Sequence, residues 1–493
     1  MIQKSYWWLT IGMVLFIFSN GNWTIPIATW IAPVFLLAFL RRSSNPRSLI
    51  LLFVLIIIAT KFMLAGIIPD DLGGLTYILT FYYAVIWFFP YCIHSIISHR
   101  IPGFKSTLVL PVAGVTAEYL NTIFFGSWSS LAYTQYGDLA LMQICSITGI
   151  WGISFLILWF ASVIDWCWSR QNIWDSMRSR AWIYILTLFL VLFYGGIRLM
   201  FCTGVSTTEN IVSFTPTEAI DQFILNMKNA GFSSSRKMAK ENRTELNNYL
   251  EQAYADIFQK MESITNEKTS LVLWPEATIS VLEEKESAII EKGKKFAHEN
   301  NTFLIMAYYL LPKLNSSQPE ENKLCLINSD GEIEFEYLKA YPVPGSPHKA
   351  GDKVIPFAET SMGTIGSVIC YDMDFTPFIN QAGRKKIDIM LVPAWDWEAI
   401  NPLHAQMAVF RCIENGFSMV RQTGEGLSIA SDPAGRVLSS IDHFTSKEYS
   451  MVSSVPNKRC STIYALTGDL FAWLCISVFI VFILLVYRKK HND

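Results

Sequence analysis

The sequence predicts a polytopic α-helical membrane domain of about eight transmembrane helices that carries one hydrophilic α/β domain. Three observations predict it. The chain has 493 residues, enough for more than one domain, and 52% of them are apolar against 16% charged. The charge is unevenly placed: both ends hold long uncharged runs, and most acids and bases fall between about residue 207 and residue 460. Inside that polar stretch, short apolar runs of strand length alternate with runs of helical period. The net charge of -2 points to no charged partner, and no basic patch with interleaved aromatics suggests nucleic acid.

Apolar segments of spanning length lie near 5–20, 24–40, 49–68, 75–97, 107–126, 140–167 and 182–203, and an eighth near 469–487. The first is short for a full span. Its Lys4 and apolar run resemble a signal peptide, but no small-residue cleavage site follows Asn20, so it is read as a retained helix. Arg41, Arg42, Arg47, Arg100, Lys105, Arg170, Arg178, Arg180 and the tail Arg488-Lys489-Lys490 all fall on one side. The alternate connection Pro69-Asp70-Asp71-Leu72-Gly73-Gly74 is acidic. Positive charge stays in the cytoplasm, so both termini are expected inside. An odd number of spans then places 204–468 outside, in the periplasm if the membrane is a bacterial inner membrane. The expected domains are 1–203, a transmembrane domain of about seven helices; 204–460, an extracytoplasmic domain; and 461–493, a last helix with a short cytoplasmic tail.

Nine cysteines do not form a framework. Cys92, Cys145, Cys167, Cys202 and Cys475 lie in or beside spans and read as apolar filler. The spacing of Cys325, Cys370, Cys412 and Cys460 demands neither a disulfide nor a metal. His298, His348, His404 and His443 lack ligand spacing, so neither metal nor cofactor is expected.

In the polar stretch, strands are expected at 211–214, 270–274, 303–308, 323–327, 332–337, 364–369, 387–392, 417–421, 427–431 and 449–455. Helices are expected at 242–263, 282–299 and 402–415, the last opening on Pro402, whose missing N–H suits a helix start. Asp330-Gly331 and Asp432-Pro433-Ala434-Gly435 are turns between neighbouring strands. The result is a layered α/β domain with a mixed sheet.

Three strand ends carry chemistry. Gly366-Ser367-Val368-Ile369-Cys370 runs into the turn-competent Tyr371-Asp372-Met373-Asp374, which sets the Cys370 sulfur at a strand tip. Glu276 closes 270–276 and Lys339 closes 334–339. A thiol, a carboxylate and an amine at strand ends are the parts of covalent acyl transfer. A buried small hydrophobe, a surface carboxylate and a solvated lysine are the plainer readings of each residue alone. Free cysteine titrates near ~8.5, so Lys339 is expected to favour its thiolate, and Glu276 to take the proton on attack. Lys339, with the Tyr371 backbone N–H, is expected to hold the tetrahedral oxyanion.

Trp274-Pro275-Glu276, Tyr337-Leu338-Lys339 and Ile369-Cys370-Tyr371, in that order, resemble the nitrilase (carbon–nitrogen hydrolase) superfamily. The resemblance implies an α-β-β-α sandwich and a Glu-Lys-Cys triad. Spans on both sides of such a domain look like its membrane-bound apolipoprotein N-acyltransferase branch. The likeness extends to Glu118, Gly126-Ser127-Trp128, Tyr133-Thr134-Gln135, Ser146–Gly152, Pro393-Ala394-Trp395-Asp396-Trp397, Phe410–Asn415, Arg421–Gly426, Thr462–Ala465 and Gly468-Asp469. It implies a phospholipid acyl donor, the N-terminal diacylglyceryl-cysteine of a lipoprotein as acceptor, and a bacterial inner-membrane site facing the periplasm. A monomer at the bilayer would suffice.

Around the triad, Trp274, Tyr371, Asp372, Trp395, Glu414 and Arg421 are candidates for substrate-binding or supporting roles, with Glu414 and Arg421 forming or supporting a buried ion pair. Glu118 is expected near an interface or with a partner. The chain also departs from the family. Pro347 stands where the family has a glutamate eight positions past the lysine, the Lys339–Cys370 segment is short, and Asp372 replaces a glutamate. A membrane-bound amidase or acyltransferase acting on another amine or amide is the alternative, and a non-catalytic scaffold a third reading.

Overall fold

The computed structural model describes residues 2–43, 45–69, 73–169, 180–202, 207–314, 316–447 and 449–492. Asp70, Asp71, Arg170 and Arg178, used above for orientation, lie outside the described residues. The chain divides into two compact units. One holds Met1–Cys202, Asp374–Pro377 and Thr462–Asp493; the other holds Thr203–Met373 and Phe378–Ser461.

The first unit is helical. Helices Ile2–Ile17, Pro26–Ser43, Pro46–Met63, Gly74–Ile97, Val109–Phe125, Trp151–Trp168, Trp182–Phe201 and Leu470–Asn492 fall on the eight expected segments. Among the described residues, six are long and apolar enough to cross a membrane; the first apolar helix is shorter. The segment 140–167 is not one helix. Leu139–Met142 and Cys145–Thr148 are single turns, and the chain resets at Gly149, whose φ of +64° suits a residue without a Cβ, before Trp151–Trp168 begins.

Two buried carboxylates inside this unit, Glu118 and Asp469, are well partnered, as a low-dielectric surround requires. Glu118 Oε2 accepts from the Ser130 and Ser154 hydroxyls, each at 2.7 Å, and Oε1 accepts the Leu131 N–H at 3.1 Å. That fits a structural post better than a substrate contact. Asp469 Oδ1 takes the Trp151 Nε1–H at 2.6 Å and the Tyr464 hydroxyl at 2.7 Å, while Oδ2 takes Thr376 at 3.1 Å.

The second unit is built on two sheets. Their strands are β1 Thr208–Phe214, β2 Leu271–Leu273, β3 Ser280–Leu282, β4 Phe303–Leu311, β5 Glu321–Ile327, β6 Ile333–Leu338, β7 Phe357–Thr360, β8 Gly363–Ser367, β9 Ile389–Ala394, β10 Ser418–Thr423, β11 Leu427–Ser431, β12 Val437–Asp442 and β13 Ser450–Pro456. One sheet runs β13-β1-β2-β4-β5-β6, with β3 on β4, and the other β12-β11-β10-β9-β8-β7. Strands β1, β2 and β4 are parallel, as are β8, β9 and β10. Helices Arg243–Ile264 and Glu286–Glu299 lay Leu246, Leu250, Ile257, Ile289 and Phe296 on the first sheet, against Val272, Leu304 and Met306. Helix Leu403–Asn415 packs against β10 and β11 of the second.

Every expected strand is present within a few residues. Two short strands (β3 and β7), the six-residue β12 and the helices Thr217–Asn229, Ser235–Glu241 and Thr376–Arg384 were not expected. The short strands carry too few residues for alternation to register. Cys202 and Cys460 are disulfide-bonded, although neither spacing nor the apolar surroundings of Cys202 announced it.

Candidate active site

The sheet topology brings the chemistry together. In parallel strands the carboxyl ends lie at one edge, where open α/β sheets bind their ligands. Glu276 follows β2, Cys370 follows β8, and Trp395 with Asp396 follows β9. Strands β5 and β6 complete an up-down-up order after β4, so the end of β6, with Lys339, and the start of β5, with Asn322, reach the same edge.

Cys370 opens the tight turn Cys370–Asp374 with a φ of +49°, a left-handed conformation that a residue with a Cβ adopts only when its surroundings hold it there. Asp372 does the holding. Its Oδ2 accepts the Ile369 N–H at 3.0 Å and the Tyr337 hydroxyl at 2.7 Å, and its Oδ1 accepts the Tyr341 N–H at 2.8 Å. Asp372 is thus a brace of the turn, and Tyr371 lies on the same turn.

Burial pushes the Asp372 carboxyl up to about 6, against the pull of Lys339 and of its three donors. A carboxyl raised above its unfolded value of 3.8 binds its proton more tightly when folded. Its stabilising contribution is therefore present below 3.8 and lost as the pH rises through about 6. The stability of the wild type relative to Asp372→Asn should fall as the pH is raised across that window. Thermal unfolding of both proteins at several pH values checks it, and a rise instead would refute the assignment.

Glu276 and Lys339 are buried, at 3% and 2% exposure, and pair at 2.6 Å between Nζ and Oε1. Asn322 Nδ2 donates to the same oxygen at 2.7 Å, and the Trp395 N–H donates to Oε2 at 3.0 Å. The Trp395 carbonyl in turn accepts from the Cys370 thiol at 3.6 Å. One peptide residue therefore ties carboxylate to sulfur. For Lys339, burial lowers the pKa, but Glu276 and then Cys370 and Asp372 outweigh it and hold the ammonium protonated. For Cys370, burial and then the Glu276 charge push the thiol up, while Lys339 and His404 pull it back by less. Lys339 thus pulls toward the thiolate as expected, but burial and the Glu276 charge outweigh it and leave the thiol above its ordinary value.

Two sequence models of known families match the chain: the apolipoprotein N-acyltransferase N-terminal domain over residues 11–163 and carbon-nitrogen hydrolase over residues 233–455. The chain belongs to the apolipoprotein N-acyltransferases, within the carbon–nitrogen hydrolase superfamily. Proteins of that name from Geobacter metallireducens and Treponema denticola are each 24% identical to it. The first match covers 79% of this chain and 75% of the relative, the second 89% and 90%. The Haemophilus influenzae apolipoprotein N-acyltransferase is 22% identical, covering 79% of this chain and 76% of the relative.

Against the family pattern, Pro347 is exposed, and the carboxylate beside this loop is the buried Glu320. Glu320 faces His348 Nε2 at 3.6 Å and Arg236 at 3.3 Å. One supporting assignment changes. Trp274 is fully buried in the core, its Nε1–H on the Met261 sulfur at 3.2 Å and its ring against Phe258, so it has no face for substrate. Glu414 and Arg421 each support a buried ion pair, as expected. Glu414 pairs with Arg411 at 3.0 Å, one helical turn away, and Arg421 grips Asp396 at 2.8 Å. Trp395 acts through its backbone, while its half-buried ring lies where a Cβ on Gly424 would sit, 2.1 Å from Cε3. Asn322 and His404 were missed. Asn322 stands between Glu321 and Lys323 at the polar head of β5, so nothing in the sequence set it apart.

Proposed function

We propose that the protein moves a fatty acyl group from a phospholipid, through a thioester on Cys370, to the N-terminal amine of the diacylglyceryl-cysteine of lipoproteins. The observation that carries this reading is the coupling of Glu276 to both Lys339 Nζ at 2.6 Å and the Trp395 N–H at 3.0 Å, with the Trp395 carbonyl on the Cys370 sulfur. The relatives carry the name apolipoprotein N-acyltransferase, which supports the acceptor class.

The steps follow from the protonation states. As the sulfur attacks the ester carbonyl, Glu276 takes the thiol proton, a C–S bond forms and the carbonyl π electrons move to oxygen. Lys339 and the Tyr371 N–H hold that oxyanion, each donor contributing about 3 kcal/mol. Collapse breaks the ester C–O bond, and the leaving alkoxide takes the proton from Glu276. The lipoprotein amine then attacks the thioester and gives a proton to Glu276. The C–S bond breaks, the amide departs and the sulfur recovers its proton.

The catalytic unit is proposed to face the periplasm with both termini in the cytoplasm. The basic residues Arg41, Arg42 and Arg47 on one side support it. So does the disulfide state of Cys202 and Cys460, which fits an oxidising compartment. Purified protein given phospholipid should show an acyl mass on the Cys370 peptide. Adding a diacylglyceryl-cysteine peptide should discharge it as an amide-linked third chain. Acylation of Cys370 without transfer to that peptide would defeat the lipoprotein acceptor and favour another amine.

A further inference from the structure

His404, Asp396 and Arg421 form a buried row that ends on the Cys370 sulfur. Arg421 holds Asp396 with both arms of its guanidinium, Nη1 to Oδ2 and Nη2 to Oδ1, each at 2.8 Å. His404 Nδ1 lies 2.7 Å from Asp396 Oδ1. The sulfur, an imidazole nitrogen and an Asp396 oxygen all lie within 4.8 Å of one another. The side chains of His404, Asp396 and Arg421 are 3%, 1% and 0% exposed. They come from three elements: the start of helix Leu403–Asn415, the end of β9 and the middle of β10.

The tautomer follows from charge. Burial alone would raise the Asp396 carboxyl, but Arg421 and then His404 hold it well below the usual carboxylate range, so it is ionised. A ring nitrogen 2.7 Å from an ionised oxygen carries the proton, because a lone pair there would be repelled; Arg421 Nη2, 3.0 Å from the same nitrogen, directs its N–H to Asp396 Oδ1 instead. Nδ1–H therefore donates to Asp396, and Nε2 is the nitrogen left for the sulfur. Cys370, Asp396 and His404 are of metal-binding types, but a guanidinium sharing both Asp396 oxygens opposes a cation there.

We infer that His404 is a further catalytic residue, which hydrogen-bonds the Cys370 sulfur and stabilises its negative charge as the acyl C–S bond forms and again as it breaks. The inference rests on the reading of Cys370 as acyl carrier. The transferred proton still moves between sulfur, Glu276 and substrate. The imidazole contributes a hydrogen bond from Nε2: it holds a proton on each nitrogen throughout, the Asp396 carboxylate balancing its charge, and neither takes nor gives one in the reaction. Arg421 keeps Asp396 ionised and oriented. The groups facing the imidazole and the sulfur are Asp396, Arg421, Glu276 and Lys339, and His404 is among those that draw the thiol pKa down. Work is thereby divided, with Lys339 serving the substrate oxygen, Glu276 carrying the proton and His404 serving the charge on the sulfur.

The test measures iodoacetamide alkylation of Cys370 against pH in the full-length protein in detergent, by peptide mass spectrometry. In His404→Gln the midpoint should move up by about one unit, which lowers alkylation at neutral pH about tenfold. Single-turnover acylation of Cys370 from phospholipid should slow with the KM for phospholipid unchanged, a split that loss of packing would not give. Asp396→Asn should move the midpoint the same way, and it decides the matter if His404→Gln does not fold. An unchanged midpoint in either folded variant overturns the inference. A wild type whose midpoint depends on His404, yet whose Cys370 is never acylated, overturns the acyl-carrier reading instead.

Discussion

Cys370→Ser is expected to reduce acyl transfer by at least about a thousandfold while leaving the protein folded. The site is arranged for a sulfur that keeps its proton until a substrate arrives, and a serine hydroxyl is a far weaker acid and a poorer leaving group. Both half-reactions suffer, because the same atom must attack an ester and later leave from the carrier. The fold should hardly notice. The turn that fixes the φ of +49° is held by Asp372 through Ile369, Tyr337 and Tyr341, none of which touches the sulfur in doing so. Unfolding should stay within about 1 kcal/mol of wild type. Acyl transfer to a diacylglyceryl-cysteine peptide, followed by mass, gives the first number and denaturant unfolding the second. A serine variant that transfers acyl groups at a tenth of the normal rate would remove the covalent mechanism.

Lys339→Met should abolish transfer and also destabilise the catalytic unit by about 3–5 kcal/mol, the toll of leaving a buried charge without its partner. Glu276 is buried, and its Oε1 would retain only the Asn322 amide. The double variant Glu276→Gln/Lys339→Met should recover most of that stability, since both buried charges are gone, and none of the activity. Recovery of stability alone is the signature of a pair whose charges serve chemistry. Equal losses in the single and double variants, measured by unfolding, would show that the pair contributes no coupling. Any activity returning with stability would show that Lys339 is only structural.

Much of this was legible beforehand. Residues at the tips of apolar runs (Glu276, Lys339 and Cys370) could be named because a strand period that stops at a polar residue is a local pattern. The membrane helices were legible for the same reason, since twenty apolar residues need no partner to be recognised. Asp372 could be named too, though its work as brace of the Cys370 turn could not.

What the chain alone determined, then, is which segments leave water and which residues sit where those segments end. Only the tertiary structure decided who meets whom: Arg421 with Asp396, Asn322 on Glu276, the Trp395 peptide between carboxylate and sulfur, His404 beside Cys370. The physical reason is that these pairings depend on the register of strands far apart in sequence, set by backbone hydrogen bonds between β2 and β4 and among β8, β9 and β10. A side chain's neighbour across a sheet leaves no trace in the residues beside it along the chain.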